Sequence, residues 1–410
     1  MALKVQKYGG SSVADIDHIK NVALKVAKAY DNKNDIVVVL SAMAGITDHL
    51  ISMARKAAKS PSNRELDVLL ATGEQTTAAL LAMTLKDMGY PAKSLLGFQA
   101  GIITDESSGK ARIIDIKADR IKRLLNKKNI VVIAGFQGNT LNGDITTLGR
   151  GGSDTSAVAI AYAVNADICE IYTDVNGVYT TDPRICNKAK KIDTISYEEM
   201  LEMSVLGAKV LQIRSVEFAK KFNVPIHVKS SFNEEKGTMI VNESSYMESV
   251  VISGVTCDKN ETRITLKKVP DHPGISAKIF TPLADAKIMV DMIIQNTRSD
   301  GRTDLTFTVP TYDFKKAKEI SEKVCKEIGA TEILTADNIA KVSVIGIGMK
   351  SHSGVAATMF KALASENINI RLISTSEIRI SCVIKAKYAE LAVRTLHTAF
   401  GLDSKKTIDA

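Results

Sequence analysis

The opening of the chain switches period within a few residues. Leu3, Val5 and Lys7 alternate as in a strand, whereas Val13, Ile16, Ile19, Ala23, Val26, Ala27 and Tyr30 recur at helical spacing. Between the two patterns lies Lys7-Tyr8-Gly9-Gly10-Ser11-Ser12, in which Ser11 or Ser12 is placed to cap the helix. The switch recurs. Residues 37–40 form a continuous apolar run of the buried-strand kind and enter S-A-M-A-G-I-T-D at 41–48. Residues 130–136 form another, followed by a Gly/Asn-rich turn at 138–143, the loop T-T-L-G-R-G-G-S-D-T-S-A at 146–157 and a helical pattern over 155–164. Residues 69–77 read as helix, and 168–184 as a strand followed by a long turn-rich loop. Strands alternating with helices predict an α/β fold.

The second half contains a repeat. Residues 269–296 align without gaps on 349–376, at an offset of 80. His272, Gly274, Ala277, Phe280, Leu283, Ala284, Ile288 and Ile293 recur as His352, Gly354, Ala357, Phe360, Leu363, Ala364, Ile368 and Ile373. Each copy reads strand, glycine turn, helix, strand, strand, helix, the order of a β-α-β-β-α-β unit. The second copy lacks its final strand after the helix at 389–400, and a spare strand at 249–257 precedes the first, so the first copy is expected to be inserted into the second. The shared histidine beside a turn glycine reads as structural, and no protein metal site is expected.

Composition narrows the class. A chain of 410 residues, 45% of them hydrophobic, should hold about two or three domains with ample core. The net charge is +8, but the basic residues are dispersed and aromatics are only 5%, which argues against nucleic acid and suits anionic substrates. Five cysteines, odd in number and without C-x-x-C spacing, read as reduced thiols in the cytoplasm. Charges begin at Lys4 and no apolar run approaches the roughly 18 residues of a spanning helix, so neither secretion nor a membrane is expected.

The two glycine loops carry the candidate chemistry. Gly9 and Gly10 let the backbone approach an anion, and Lys7 adds a positive charge. Arg150, among three glycines and an aspartate, offers a planar fork for a carboxylate. Neither loop matches G-x-G-x-x-G or the Walker pattern. Glu74, beside a glycine in L-L-A-T-G-E-Q-T-T, reads by itself as an exposed glutamate.

Taken in order, K-Y-G-G-S-S, S-A-M-A-G-I-T-D, the G-E pair, G-R-G-G-S-D-T-S-A and Y-T-D-V-N-G-V-Y-T-T-D-P-R resemble the aspartate kinases of the amino-acid kinase superfamily, over essentially the whole chain. Ser11 stands where most relatives carry threonine, and Ala44-Gly45-Ile46 replaces a common Gly-Lys-Thr. The resemblance implies an αβα sandwich with a mainly parallel sheet over residues 1–245. Two ferredoxin-like ACT domains would follow, one at 263–340 inserted into another made of 246–262 and 341–410. It implies a monofunctional enzyme with no fused homoserine dehydrogenase. The reaction would transfer the ATP γ-phosphoryl group, with Mg²⁺, to the β-carboxylate of L-aspartate, as the first step toward lysine, threonine and methionine.

By the same resemblance Lys7 neutralises the transferring phosphoryl group, and Gly9, Gly10 and Ser11 contact phosphate oxygens. Arg150 binds the substrate α-carboxylate and Glu74 its ammonium, while Thr47 and Ser153 complete the pocket. Asp154 orients Lys7 and Lys209, and Lys209 reaches the nucleotide phosphates. Thr173, Asp174, Tyr179 and Arg184 hold the nucleotide. Asp271, Gly274, Ser276 and Gln295 form the regulatory site for lysine, threonine or both; Ser351, Gly354 and Thr375 are their counterparts, differing at two places. A homodimer or homotetramer is expected. The side chain of aspartate is already ionised at neutral pH, so the chemistry calls for cations and positioning rather than a general base. Two other readings are a kinase for another small carboxylate and an amino-acid sensor with a degenerate kinase body. The charged set Lys7, Glu74, Arg150, Asp154 and Lys209 speaks against the sensor.

Overall fold

The structure, a computed structural model, describes residues 2–207, 210–243, 252–297, 301–350, 352 and 354–403. Two compact units account for it. One comprises Met1–Tyr179 with Lys191–Met247, the other Thr180–Lys190 with Glu248–Ala410.

Among the described residues, the first unit is built on an eight-stranded sheet in the order Thr194–Ser196, Thr238–Val241, Ile226–Ser230, Ile168–Thr173, Leu3–Tyr8, Asp35–Leu40, Ile130–Ala134 and Ala92–Leu95. All pairs are parallel except that between Ile226–Ser230 and Thr238–Val241. Burial on both faces explains the unbroken apolar runs, since residues 130–134 are all fully buried. Tyr8 lies level with Leu40 and Tyr172, and Leu40 with Ala134. Four neighbouring strands therefore end along one line. The glycine loop after Tyr8, the small-residue loop after Leu40, the turn at Gly135 and the Thr173-Asp174 turn all leave the sheet at the same edge, where ligands of open parallel sheets bind. A smaller four-stranded sheet (Ile102–Thr104, Ile113–Ile116, Gln137–Asn139 and Ile145–Thr147) carries the chain into the arginine loop.

The helices differ from expectation at their starts. The first runs Ile16–Asp31 and is capped by Asp15, whose side chain accepts from the His18 N–H, not by Ser11 or Ser12. Those serines lie in a short 3-10 turn, Gly10–Val13, that tightens the glycine loop before the helix begins. The helix of the second loop starts three residues earlier than the pattern implied, at Gly152. The Asn63–Asp87 helix, 25 residues long with an 18-residue stretch of mean hydropathy 1.2, would pass as a membrane span by length and composition, contrary to the sequence reading. Half of that stretch is buried inside the protein, and the helix carries the buried polar residues Asp67 and Glu74, the marks of a core helix.

Among the described residues, the second unit contains two antiparallel four-stranded sheets. Ile293–Thr297, Arg302–Pro310, Glu261–Pro270 and Glu332–Ala336 form one, with the helices Ile275–Asp285 and Phe314–Glu327; Gly254–Asp258, Ile339–Ile345, Arg379–Lys385 and Leu372–Thr375 form the other, with Val355–Ser365 and Ala389–Ala399. Gly254–Asp258 pairs with Ile339–Ile345 as Glu332–Ala336 pairs with Glu261–Pro270, so a strand that precedes the first copy completes the second. That strand begins later than position 249; residues 244–251 lie outside the described residues. The two cores repeat the sequence offset: Ile275, Ile279, Leu283 and Ile288 are buried in one, Val355, Met359, Leu363 and Ile368 in the other.

Candidate active site

Lys7 sits near the end of its strand, and alternation turns it to the face covered by the Gly152–Val164 helix. There its ammonium meets the Asp154 carboxylate at 2.6 Å, both side chains about one-tenth exposed. The contact is an ion pair, and that Asp154 oxygen has no hydrogen-bond partner among the described residues. Asp154 lies in the first turn of its helix, where the macrodipole favours an anion. The pair keeps a buried cation at the rim of the glycine loop, close enough that a Cβ on Gly9 would lie 3.4 Å from the lysine nitrogen.

Around this pair the loops are held from behind. Gly9 N–H donates to the Tyr172 carbonyl at 3.3 Å, and Ser41 N–H to that of Tyr8 at 3.1 Å. A Cβ on Gly10 would meet the Ala42 carbonyl at 3.0 Å, so the first two loops approach as closely as glycine permits. The arginine loop turns on Gly151, whose φ is 71° and whose missing Cβ would overlap Gln212. Arg214 donates to the carbonyls of Leu148 at 2.6 Å and Ala111 at 2.9 Å, pinning that loop's entry. Phe136, at φ 66°, is a non-glycine residue in the left-handed region at the foot of the same loop, held by the Ser156 hydroxyl that accepts from its N–H at 3.1 Å.

Glu74 is 4% exposed, not on the surface as its local sequence suggests. One carboxylate oxygen accepts from Ala42 N–H at 3.0 Å and the other has no partner among the described residues. Burial raises its pKa to about 7, outweighing the Ala42 hydrogen bond that lowers it. A buried acceptor left open is suited to a cationic group. Nearby, Asp67, 1% exposed, accepts from Gly109 N–H at 2.9 Å and the Thr147 hydroxyl at 2.5 Å, tying the small sheet to the long helix. Sequence reasoning missed Asp67 and Arg214 because they act only through backbone and hydroxyl partners far away in the chain.

The remaining candidates divide. Ser153 is buried beside Asp154, Thr47 is half-buried in the first turn of its helix, and Arg150 is exposed on its loop. Thr173 and Asp174 lie together at the strand end, 3.1 Å apart, and Tyr179 is bridged to Lys191. Arg184 belongs to the other unit, where its guanidinium contacts Asp182 at 2.8 Å. Lys209 and Ser351 lie outside the described residues. In the second unit Asp271, Gly274, Ser276 and Gln295 line one cavity of about 570 Å³ at the start of the Ile275–Asp285 helix.

The model of the amino acid kinase family matches residues 2–230, and the ACT domain model matches 267–323 and 342–400. An aspartate kinase of Stutzerimonas stutzeri is 54% identical over 98% of both chains. Among solved structures, E. coli aspartokinase III in complex with aspartate and ADP (R-state) superposes with a TM-score of 0.80 at 28% identity, over 97% of this chain and 99% of that one. The same enzyme in complex with lysine and aspartate (T-state) gives 0.77 at 27% identity, with the same coverage. The chain belongs to the amino acid kinase family, in its aspartate kinase branch: ATP-dependent phosphotransferases that act on aspartate, with ACT domains for feedback control.

Proposed function

We propose that the sheet edge around Lys7 binds ATP and L-aspartate together and passes the γ-phosphoryl group to the aspartate β-carboxylate, giving 4-phospho-L-aspartate. The buried Lys7–Asp154 pair carries this reading. A carboxylate nucleophile needs no base, and its approach to a polyanion needs a fixed cation, which Asp154 holds in place. Gly9, Gly10 and Ser11 fit a phosphate cradle, because a side chain at Gly10 would fill the space beside Ala42. Glu74 suits the substrate ammonium and Arg150 its α-carboxylate, with Thr47 and Ser153 completing the pocket. Thr173, Asp174 and Tyr179 are assigned to the nucleotide, with Lys209 reaching its phosphates. Among the described residues no three His, Cys, Asp or Glu side chains cluster as a metal cage. Mg²⁺ would arrive on ATP with its own waters and neutralise phosphate charge there.

Regulation is assigned to the cavity at Gly274. The helix N-terminus there offers N–H groups to a carboxylate and Asp271 offers a counter-charge to an ammonium, with Ser276 and Gln295 alongside. An amino acid zwitterion matches that pattern. The lysine complex of E. coli aspartokinase III supports lysine as effector; threonine, alone or together with lysine, is the other candidate. The edge strands Ile293–Thr297 and Leu372–Thr375 expose Ile293 and Ile373 at 53% and 43%, which supports assembly into a homodimer or homotetramer through strand edges. Five free cysteines suit a reducing cytoplasm.

The test is a coupled assay with ATP, Mg²⁺ and aspartate, glutamate or no acceptor, alongside hydroxylamine trapping. Aspartyl hydroxamate formed only with ATP and aspartate is the expected result. Turnover with glutamate alone would indicate another carboxylate kinase, and none with either acceptor the sensor.

A further inference from the structure

After Tyr179 the chain leaves the kinase unit, spends Thr180–Lys190 in the regulatory unit, and returns at Lys191. Tyr179 and Lys191 pair across an isolated bridge, so this strap has a closed neck on the kinase side. Its body is not a solvent loop. Thr180, Thr181 and Cys186 are 9%, 6% and 4% exposed, and Ile185 packs against the core of the second repeat. Val255 N–H donates to the Thr180 carbonyl at 2.8 Å, placing Thr180 beside the strand that completes that repeat's sheet. Thr180 N–H donates to Lys190 at 2.8 Å and its hydroxyl accepts from Lys190 N–H at 3.0 Å.

The same hydroxyl lies 2.9 Å from Nε2 of His397, which is fully buried on the Ala389–Ala399 helix. The neighbours of His397 on that helix face, Ala389, Ala392, Val393 and Leu396, are core residues of the repeat. Its Nδ1 has no partner among the described residues. A buried imidazole with one nitrogen unsatisfied is a poor way to fill a core, where leucine or phenylalanine would serve without the desolvation cost. What histidine adds is the bond to Thr180.

We propose that His397 is a positioning residue for the nucleotide side of the kinase. By fixing Thr180 it fixes Tyr179, about 3.8 Å away along the backbone, and through the strap the second repeat transmits its conformation to the Thr173–Tyr179 segment. The proposal rests on the assignment of that segment to ATP. Coupling between distant sites requires a contiguous element that both can bias, and the strap is covalently continuous with one unit and packed into the core of the other.

His397→Phe keeps the apolar bulk and removes the bond; Thr180→Val removes it from the other side; His397→Gln retains a polar partner. The first two should raise the KM for ATP roughly three- to tenfold, the range for one buried hydrogen bond, with kcat at saturating ATP and the KM for aspartate within about twofold. The glutamine variant should lie nearer the parent, and the double variant H397F/T180V should be no worse than either single one, because one bond is lost in each case. In variants with that ATP defect, inhibition by lysine or threonine should also weaken. Thermal melting reports whether His397→Phe folds, and Thr180→Val carries the test if it does not. An unchanged ATP KM in folded variants overturns the proposal, as does a parallel rise in both KM values. Asp174→Ala separates the two layers: if it leaves the ATP KM unchanged, the nucleotide assignment itself fails; if it raises that KM while the strap variants do not, only the role of His397 fails.

Discussion

Glu261 and Lys341 occupy equivalent positions of the two repeats, 80 residues apart, and meet as a buried ion pair. At this point a residue of one repeat contacts its own counterpart in the other. Asp291 supplies a second carboxylate to the same ammonium, so one cation serves two acids. Burial alone would depress Lys341, but the two carboxylates reverse this and raise it; Asp291 is disfavoured by burial, yet the ammonium outweighs that and holds it low.

Lys341→Met should therefore destabilise the regulatory unit by about 3–5 kcal/mol at pH 8, the usual consequence of leaving buried carboxylates unpaired. The sign with pH follows. Without the ammonium both carboxylates have folded pKa values above their unfolded ones, so stability present at low pH is lost as pH rises through the folded values. The gap in Tm between parent and variant should be larger at pH 8 than at pH 5. An equal or smaller gap at pH 8 contradicts this account.

Lys7→Ala and Asp154→Asn separate charge from orientation. Losing the Lys7 cation should lower kcat by at least about 100-fold with little change in the KM for aspartate, because its charge matters most as the phosphoryl group moves. Asp154→Asn should leave the lysine in place but loosely held, with a smaller loss of kcat. Arg150→Ala should act mainly on the KM for aspartate. Steady-state kinetics checks all three, and equal effects of Lys7→Ala and Arg150→Ala on both parameters would refute the assigned roles.

Glu74 makes a prediction about both binding and stability. With its pKa at about 7, it is increasingly protonated below neutrality and cannot pair with an ammonium, so the KM for aspartate should rise as pH falls through 7. The folded pKa exceeds the ordinary 4.5 of the unfolded chain, so ionised Glu74 costs the ligand-free protein stability that is fully present below about 4.5 and lost on rising through 7. That cost is at most roughly 3 kcal/mol. Glu74→Gln should then melt closer to the parent at pH 5 and above it at pH 8. A Tm difference independent of pH would mean that Glu74 is ionised throughout.

What the sequence revealed and concealed has physical reasons. Apolar runs such as residues 130–134 admit only a buried strand, and glycine loops at strand ends recur where a parallel sheet binds ligands. The repeat was legible because Leu283 and Leu363, Ile288 and Ile368 fill the same core positions. Burial of Glu74 was not, because nothing local says which face of a 25-residue helix meets the Ala42 backbone. Asp15 displaced Ser11 and Ser12 as cap because three acceptors lie within five residues and only the 3-10 turn decides among them. The placement of Thr180–Lys190 in the second unit was hidden for another reason: a turn-rich composition does not tell which body a loop packs against.

The regulatory assignment yields the last prediction. Asp271 and Gln295 line the cavity from different elements, the turn before the Ile275–Asp285 helix and the Ile293–Thr297 edge strand, so each tests the site independently. Feedback requires an effector that binds a low-activity conformation more tightly than the active one, with couplings of roughly 1–3 kcal/mol. Asp271→Ala removes the counter-charge for an effector ammonium, and Gln295→Ala removes a polar contact. Both should raise the lysine or threonine concentration needed for half-inhibition by roughly fivefold or more, with uninhibited kcat nearly unchanged. Calorimetric titration should show the same weakening without any nucleotide present, because the cavity lies wholly within the second unit. Variants as inhibitable as the parent would place the effector elsewhere. A parent that neither amino acid inhibits would leave the tandem repeats with an architectural role.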